Sequence, residues 1–310
     1  MKIKRIVVPL DFSTFSEEAL NYAVSLAKKY SATLYAFHSI VLFQSEPESH
    51  SFSRDYDQYL KLQEDDSRAL IAKYRTEAER KGVLLTSEVR RGYSAAEEIL
   101  QYADEIAADL IVMGTHGRTG LKRWFYGSVS ERVVRLAKQP VITVHKDTGF
   151  PKKGKILVPL DFSESSKMAA AMATKLAKDL GLIPVFIHVV EYEIHPAFYS
   201  VQVASAFMVD KDFETRVVER LKEFADYDGD AVYIVREGRA WNEVVDYAKN
   251  EDVALIVMGT RGLTGLDHLL IGSNAERVAR FSTKPVLSVR CTEEKNEEDV
   301  ELVEREGSNS

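Results

Sequence analysis

The sequence holds a single cysteine, Cys291, among 310 residues. One thiol excludes an intramolecular disulfide framework and any Cys₄ metal cluster. Tryptophan is nearly as scarce, with two, and proline supplies only eight residues. There is no basic excess: 41 lysines and arginines face 48 aspartates and glutamates, a formal net charge of −7. That balance argues against a protein reading the phosphate backbone of nucleic acid, which ordinarily carries a basic face. Long apolar runs are missing too. The first, Ile6 to Leu10, is too short for a secretory segment or a membrane span. A reduced, cytoplasmic setting is therefore expected. What remains is ordinary globular material, 45% hydrophobic and 29% charged. It is long enough for two domains.

The chain repeats itself. Val8-Pro9-Leu10-Asp11-Phe12-Ser13 recurs 150 residues later as Val158-Pro159-Leu160-Asp161-Phe162-Ser163. Leu110 to Thr115 recurs 145 residues later as Leu255 to Thr260. Order is kept and spacing nearly so, which marks duplication of a whole domain. Residues 147–154 join the copies and contain Gly149 and Pro151, the chemistry of a linker. Expected domains are 1–147 and 153–291, followed by an acidic, disordered tail over 292–310.

Each copy reads alike. A β-branched run at 6–10 precedes a helical pattern from Thr14 to Tyr30, with Thr14 and Glu17 spaced as a capping box. Strands are expected at 33–38, 83–89, 109–113 and 140–144. Helices are expected at 56–81, 95–107 and from Gly127-Ser128 onward. The Met168 to Met172 stretch reads as core helix. Near-continuous apolar strands alternating with helices predict an α/β fold, one doubly wound parallel five-stranded sheet per copy, of order 3-2-1-4-5. Ligands of such sheets sit beyond the carboxyl ends of the strands where the order reverses. That point lies past the first and fourth strands, at Asp11 and Gly114 and again at Asp161 and Gly259.

The same spacing occurs at both points. Gly114-Thr115-His116-Gly117 is followed, nine residues on, by Gly127-Ser128. Gly259-Thr260-Arg261-Gly262 is followed likewise by Gly272-Ser273. Glycine permits close backbone approach and positive φ, and a helix start offers free amides to an anion. Phosphate binding is one reading. Turn and cap chemistry is the other, since Ser128 with Glu131, and Ser273 with Glu276, are spaced as capping boxes.

The Pro-Leu-Asp-Phe-Ser segment, the Gly-x2-Gly-x9-Gly-Ser pattern and the closing Pro-Val strand together resemble the universal stress protein family, over both copies. The resemblance implies the fold above and, for members with the glycine pattern, ATP binding. It implies that Asp11 and Asp161 receive the adenine amino group, and that the backbone at Ser39 and Val189 meets the adenine edge. Gly114, Gly117, Gly127, Ser128 and Val129 would line ribose and phosphates, with Arg118 beside them. Gly259, Gly262, Gly272, Ser273 and Asn274 form the matching set. Pro9, Met113, Pro159 and Met258 complete the expected sites at the strand ends. The ligand is ATP or AMP, with or without Mg, and no catalytic or metal-ligating residue is expected.

The copies differ beside the glycines. The first has His116, Arg118, Lys122 and Arg123 where the second has Arg261, Leu263, Asp267 and His268. If the cluster is more than a solvated face, the first copy binds a triphosphate more tightly. His38 and His188 read as structural, and Trp124, Phe125 and Tyr126 as packing or subunit contact. No Walker A run, kinase signature or His-x-Gly-His motif is present. A nucleotide-binding regulator is the leading reading. A weak ATPase, or an enzyme that phosphorylates itself at Ser128 or Ser273, and an adaptor with empty pockets are the alternatives. The resemblance implies that the closing strands join the copies about a pseudo-twofold axis, and that a homodimer forms through the same region.

Overall fold

The computed structural model describes residues 2–42, 50–117, 127–146, 148–151, 153–191, 212–260 and 272–290. The first copy runs β1 (Arg5–Pro9), α1 (Thr14–Tyr30), β2 (Thr33–Val41), α2 (His50–Arg80), β3 (Leu85–Gly92), α3 (Ala95–Glu105), β4 (Leu110–Gly114), α4 (Ser128–Leu136) and β5 (Val141–Val144). The second runs β6 (Lys155–Pro159), α5 (Glu164–Leu180), β7 (Ile183–Val190), α6 (Phe213–Ala225), β8 (Val232–Glu237), α7 (Ala240–Asn250), β9 (Val253–Gly259), α8 (Ser273–Phe281) and β10 (Val286–Val289).

Strand order is β3-β2-β1-β4-β5-β10-β9-β6-β7-β8. Each copy has the expected 3-2-1-4-5 order, and the two sheets fuse into one of ten strands. Pairing is parallel within each copy. Only β5 and β10 run antiparallel, with Leu287 opposite Ile142. The expected pseudo-twofold join is thus present. Because β5 and β10 occupy each other in the middle of the sheet, neither offers a free edge to a second chain.

Side chains alternate through the sheet as its pleat requires. Ile6 and Val8 face one side with α1, while Val7 faces the other with α3 and α4. On the α1 side a single apolar cluster crosses both copies, carrying Ile6, Ile142, Ile156 and Leu287 together. On the opposite side each copy keeps its own cluster. The copies also meet where Tyr30 donates to Asp179 at 2.9 Å, and the linker docks on the first copy where Phe150 packs edge-on against Tyr22 at 5.2 Å. Met168 and Met172 are half-buried against the shared cluster rather than within it.

The helix starts differ from the sequence pattern. Ser13, not Thr14, caps α1, its hydroxyl accepting from Ser16 N. Ser163 does the same for α5. The hydroxyl is chosen one residue early because Asp11 Oδ1 accepts from Ser13 N at 3.1 Å and Ser13 Oγ at 2.6 Å, fixing that serine at the turn. β2 runs on to Val41, and α2 begins at His50, ahead of the expected 56.

Glycine at the end of β4 is demanded by packing. A Cβ on Gly114 would lie 2.8 Å from the backbone carbonyl of Phe15, in the first turn of α1. Gly259 meets the backbone of Ser165 in the same way. Gly149, by contrast, faces open space. We expect Gly114→Ala to lower the unfolding free energy by about 1–3 kcal/mol through overpacking. Gly149→Ala should change it by no more than about 0.5 kcal/mol. Urea titration of both variants measures the difference.

Candidate functional site

Two clefts open at the two switch points, of about 170 Å³ in the first copy and about 190 Å³ in the second. The first gathers Pro9, Asp11, Ser39, Met113, Gly114, Gly117, Gly127, Ser128 and Val129. The second gathers Pro159, Asp161, Val189, Met258, Gly259, Gly272, Ser273 and Asn274. Arg118 and Gly262 lie outside the described residues. So do the basic positions Lys122, Arg123 and Arg261, the aromatic run Trp124 to Tyr126, Leu263, Asp267, His268, Cys291 and the acidic tail.

The base of each cleft is the turn leaving the first strand. Leu10 N donates to Phe37 O at 2.8 Å, and His38 Nδ1 donates to Leu10 O at 2.6 Å. His188 repeats this on Leu160 O at 2.7 Å. Next in the chain, Phe12 and Phe162 take left-handed backbone angles, φ 62° and 65°. For an aromatic residue that costs on the order of 1–3 kcal/mol, held by surrounding structure. Each ring packs on its histidine at 4.7 Å. The histidines are structural in this sense, as the sequence suggested, although both also line the clefts.

The strained turn presents the aspartates. Asp11 uses Oδ1 on Ser13, and Asp161 uses Oδ1 on Ser163 N at 3.0 Å and Oγ at 2.5 Å. Oδ2 of Asp11 faces Gly117, where a Cβ would stand only 2.8 Å away. The loop after β4 therefore closes directly on the carboxylate, and a side chain at Gly117 would push it aside.

The far wall is the start of the helix after β4 or β9. Gly127 and Gly272 are the N-caps, and neither helix has a side-chain cap. The expected boxes at Ser128–Glu131 and Ser273–Glu276 do not form, because each serine is already the first helical residue. The glycines are placed by backbone contacts, Gly127 N donating to Thr115 O at 2.8 Å and Gly272 N to Thr260 O at 2.7 Å. The expectation of positive φ at these glycines is likewise not met: φ is −64° at Gly127 and −58° at Gly272. Close approach, not left-handed backbone, is what they provide. First-turn amides have no intrahelical acceptor. Ser128 and Val129, the first residues of this uncapped helix, line the first cleft, and a helix start of this kind favours an anion.

The first cleft has further unmet polar groups. Ser39 Oγ and His116 Nε2 are buried without a hydrogen-bond partner. The His116 ring is held by Thr115 Oγ1 at 3.0 Å from Nδ1 and by Phe15 at 4.9 Å. Burial lowers its pKa. His145, at the end of β5, is pushed down to about 4, first by burial and then by the neighbouring His116 charge. The second copy has Arg290 there, donating to Leu136 O at 3.1 Å on α4 of the first copy. Sequence reading missed Ser130, whose hydroxyl donates to Gly114 O at 2.8 Å, and Glu191, which lines the second cleft. Ser130 lay hidden inside the proposed capping box. Glu191 lay beyond any motif. No group of three or more His, Cys, Asp or Glu able to hold a metal occurs among the described residues. None of the described helices is long and apolar enough to cross a membrane.

This arrangement defines a class: a tandem, doubly wound α/β protein with a helix-capped cleft at each switch point. Residues 2–145 and 153–290 each match the model of the universal stress protein family. The chain belongs to that family. A universal stress protein of Methanocaldococcus jannaschii is 38% identical over 152 residues, covering 48% of this chain and 84% of that one. One from Mycolicibacterium smegmatis is 25% identical over 300 residues, covering 92% and 96%. In fold, the crystal structure of a universal stress protein from Archaeoglobus fulgidus aligns with a TM-score of 0.69 at 20% identity, over 92% of this chain and 98% of that one.

The histidine pair makes stability depend on pH. With its folded pKa near 4, His145 stays neutral in the fold while the unfolded chain takes up a proton below about 6.5. Its contribution is full above that value and is lost as pH falls toward 4, a change on the order of 3 kcal/mol. His116 acts in the same direction. The urea midpoint should fall between pH 7 and pH 4, and His145→Gln should flatten the fall.

Proposed function

We propose that both copies bind an adenine nucleotide, ATP or AMP, and that the protein works as a nucleotide-responsive regulator in stress adaptation. The observation carrying this reading is the pairing, in both clefts, of a turn-held carboxylate with a helix start that lacks a side-chain cap. One end suits a hydrogen-bond donor and the other an anion. Family membership and the two glycine patterns support it, as do the buried, unpartnered Ser39 Oγ and His116 Nε2.

In this reading Asp11 and Asp161 accept from the adenine amino group through the oxygen not committed to Ser13 or Ser163. The backbone at Ser39 and Val189 meets the ring edge. Pro9, Met113, Pro159 and Met258 form the apolar floor. Phosphates lie against the first-turn amides of α4 and α8, at Ser128 and Val129 and at Ser273 and Asn274, with Gly117 on the loop side; Arg118 and Gly262, by their place in the sequence pattern, belong to the same set. Mg would come with the phosphates, since Asp11 faces the base end. The chain's own part is to bind, orient and desolvate the nucleotide. The extra cations of the sequence at 118–123 favour tighter ATP binding by the first copy.

Protein purified without added nucleotide should release ATP or AMP on denaturation, identified by mass spectrometry. Asp11→Asn and Asp161→Asn keep the acceptor for the serine but turn the other oxygen into a donor. Each should weaken ATP about tenfold or more in its own cleft, read by calorimetry on the full chain. Retained affinity in both variants would refute the assignment of the aspartates.

A further inference from the structure

His116 is fastened beside the uncapped start of α4. It lines the first cleft between Gly114 and Gly117. A Cβ on Gly127, the N-cap of that helix, would lie 3.5 Å from His116 Cα. One residue earlier, Thr115 O accepts from Gly127 N at 2.8 Å. The ring itself is held at two places, by Thr115 Oγ1 at 3.0 Å from Nδ1 and by the Phe15 ring at 4.9 Å. Nε2 is buried with no partner. A buried polar atom in that condition is costly, and a ligand oxygen would relieve it.

This ring can change charge without moving. A threonine hydroxyl donates or accepts by rotation. Thr115 Oγ1 can donate to Nδ1 of the neutral ring or accept from Nδ1–H of the cation, and Nε2 carries its hydrogen in both forms. The titratable groups around the ring are few among the described residues. His145, at the end of β5, is neutral well above its pKa of about 4. Asp11 Oδ2 faces the loop at Gly117, Glu17 of α1 accepts from Tyr74 at 2.7 Å, and Glu131 lies in the first turn of α4. Burial favours the neutral ring. An anion against the helix start would reverse that balance, because a nearby opposite charge favours the cation. The second copy has Arg261 at this place in the sequence pattern, and a guanidinium keeps its charge throughout. His38 and His188 do not distinguish the clefts, since each bonds through Nδ1 to a leucine carbonyl.

Resting on the adenine-nucleotide reading above, we propose that His116 binds the phosphate end of the nucleotide in the first cleft and takes up a proton as it does so. The proton comes from solvent and ends on Nδ1, with Thr115 Oγ1 turned to accept it. Nucleotide binding by the first copy is then tied to pH and tightens as pH falls from 8 to 6. The second copy carries a permanent cation at this place and lacks that link.

Calorimetry on the full chain tests this, with ATP as the probe and buffers of different ionisation enthalpy to count protons. Asp161→Asn weakens the second cleft, so the titration reads the first; Asp11→Asn does the reverse. A nucleotide's own phosphate titrates at about pH 6 and contributes alike to both, so the second cleft supplies the baseline. Above it, the first cleft should take up a further fraction of a proton at pH 7. Its affinity should rise about tenfold more than the second's between pH 8 and pH 6, as expected for one added charge-assisted hydrogen bond. His116→Gln keeps a donor but takes no proton, and should abolish both excesses. His116→Arg should hold the affinity near its pH 6 level across the range. Adenosine, which has no phosphate, should show neither excess. Equal proton uptake by the two clefts, or an excess surviving His116→Gln, would overturn the proposal and leave nucleotide binding standing. If neither cleft of the wild-type protein binds ATP, the adenine-nucleotide reading falls and takes the proposal with it.

Discussion

Everything at the two clefts depends on how closely the first helix of each copy can lie on the end of its fourth strand. Gly114 and Gly259 have no side chain, so the first turns of α1 and α5 settle onto bare backbone. That contact sets the height of the helix above the sheet. The height fixes the turn before it, where Phe12 and Phe162 are forced into left-handed backbone. The turn in turn fixes Asp11 and Asp161, each held by the serine that caps the helix. Strain, cap and carboxylate form one unit. Core packing on both faces of the sheet supplies the energy that holds it.

Much of the fold was legible because two periodicities were clean. Apolar runs bounded by helical patterns gave the strand order, and the duplicated Leu-Asp-Phe-Ser segment showed that the same fold occurs twice. The span of α1 was readable because its apolar face repeats without interruption from Thr14 to Tyr30. The helix caps were misread for a definite reason. Spacing shows where a serine and a glutamate stand three apart but not which residue is first in the helix. At Ser128 that one-residue difference turns a capped helix start into an uncapped one, facing the cleft. Similarly, the glycines were read as allowing either close approach or positive φ, and the constraint on Gly114, Gly117 and Gly127 is a neighbouring atom: Phe15 backbone, Asp11 carboxylate and Thr115 carbonyl. Non-local contacts of this kind leave no periodic trace. Glu191 is the clearest case, since its partner Ala240 is 49 residues away.

The duplication preserved architecture while letting individual positions diverge. Where the first copy has a buried neutral histidine after β5, the second has an arginine after β10 that donates to carbonyls across the copy boundary. Ser39 corresponds to Val189, Ser130 to Ala275, and Val41 to Glu191. Each exchange moves a polar group within or around a cleft whose backbone scarcely differs. Such a scaffold can diversify what it recognises without disturbing its sheet, because the altered side chains sit beyond the strand ends.

The antiparallel seam between β5 and β10 has one more geometric effect. All strands of one copy point one way and all strands of the other point back, so their carboxyl ends emerge from opposite rims of a single continuous sheet. The molecule is two-ended. The two clefts therefore open at opposite rims of the sheet. Any signal between them must travel along the sheet or through the single apolar layer that both copies share.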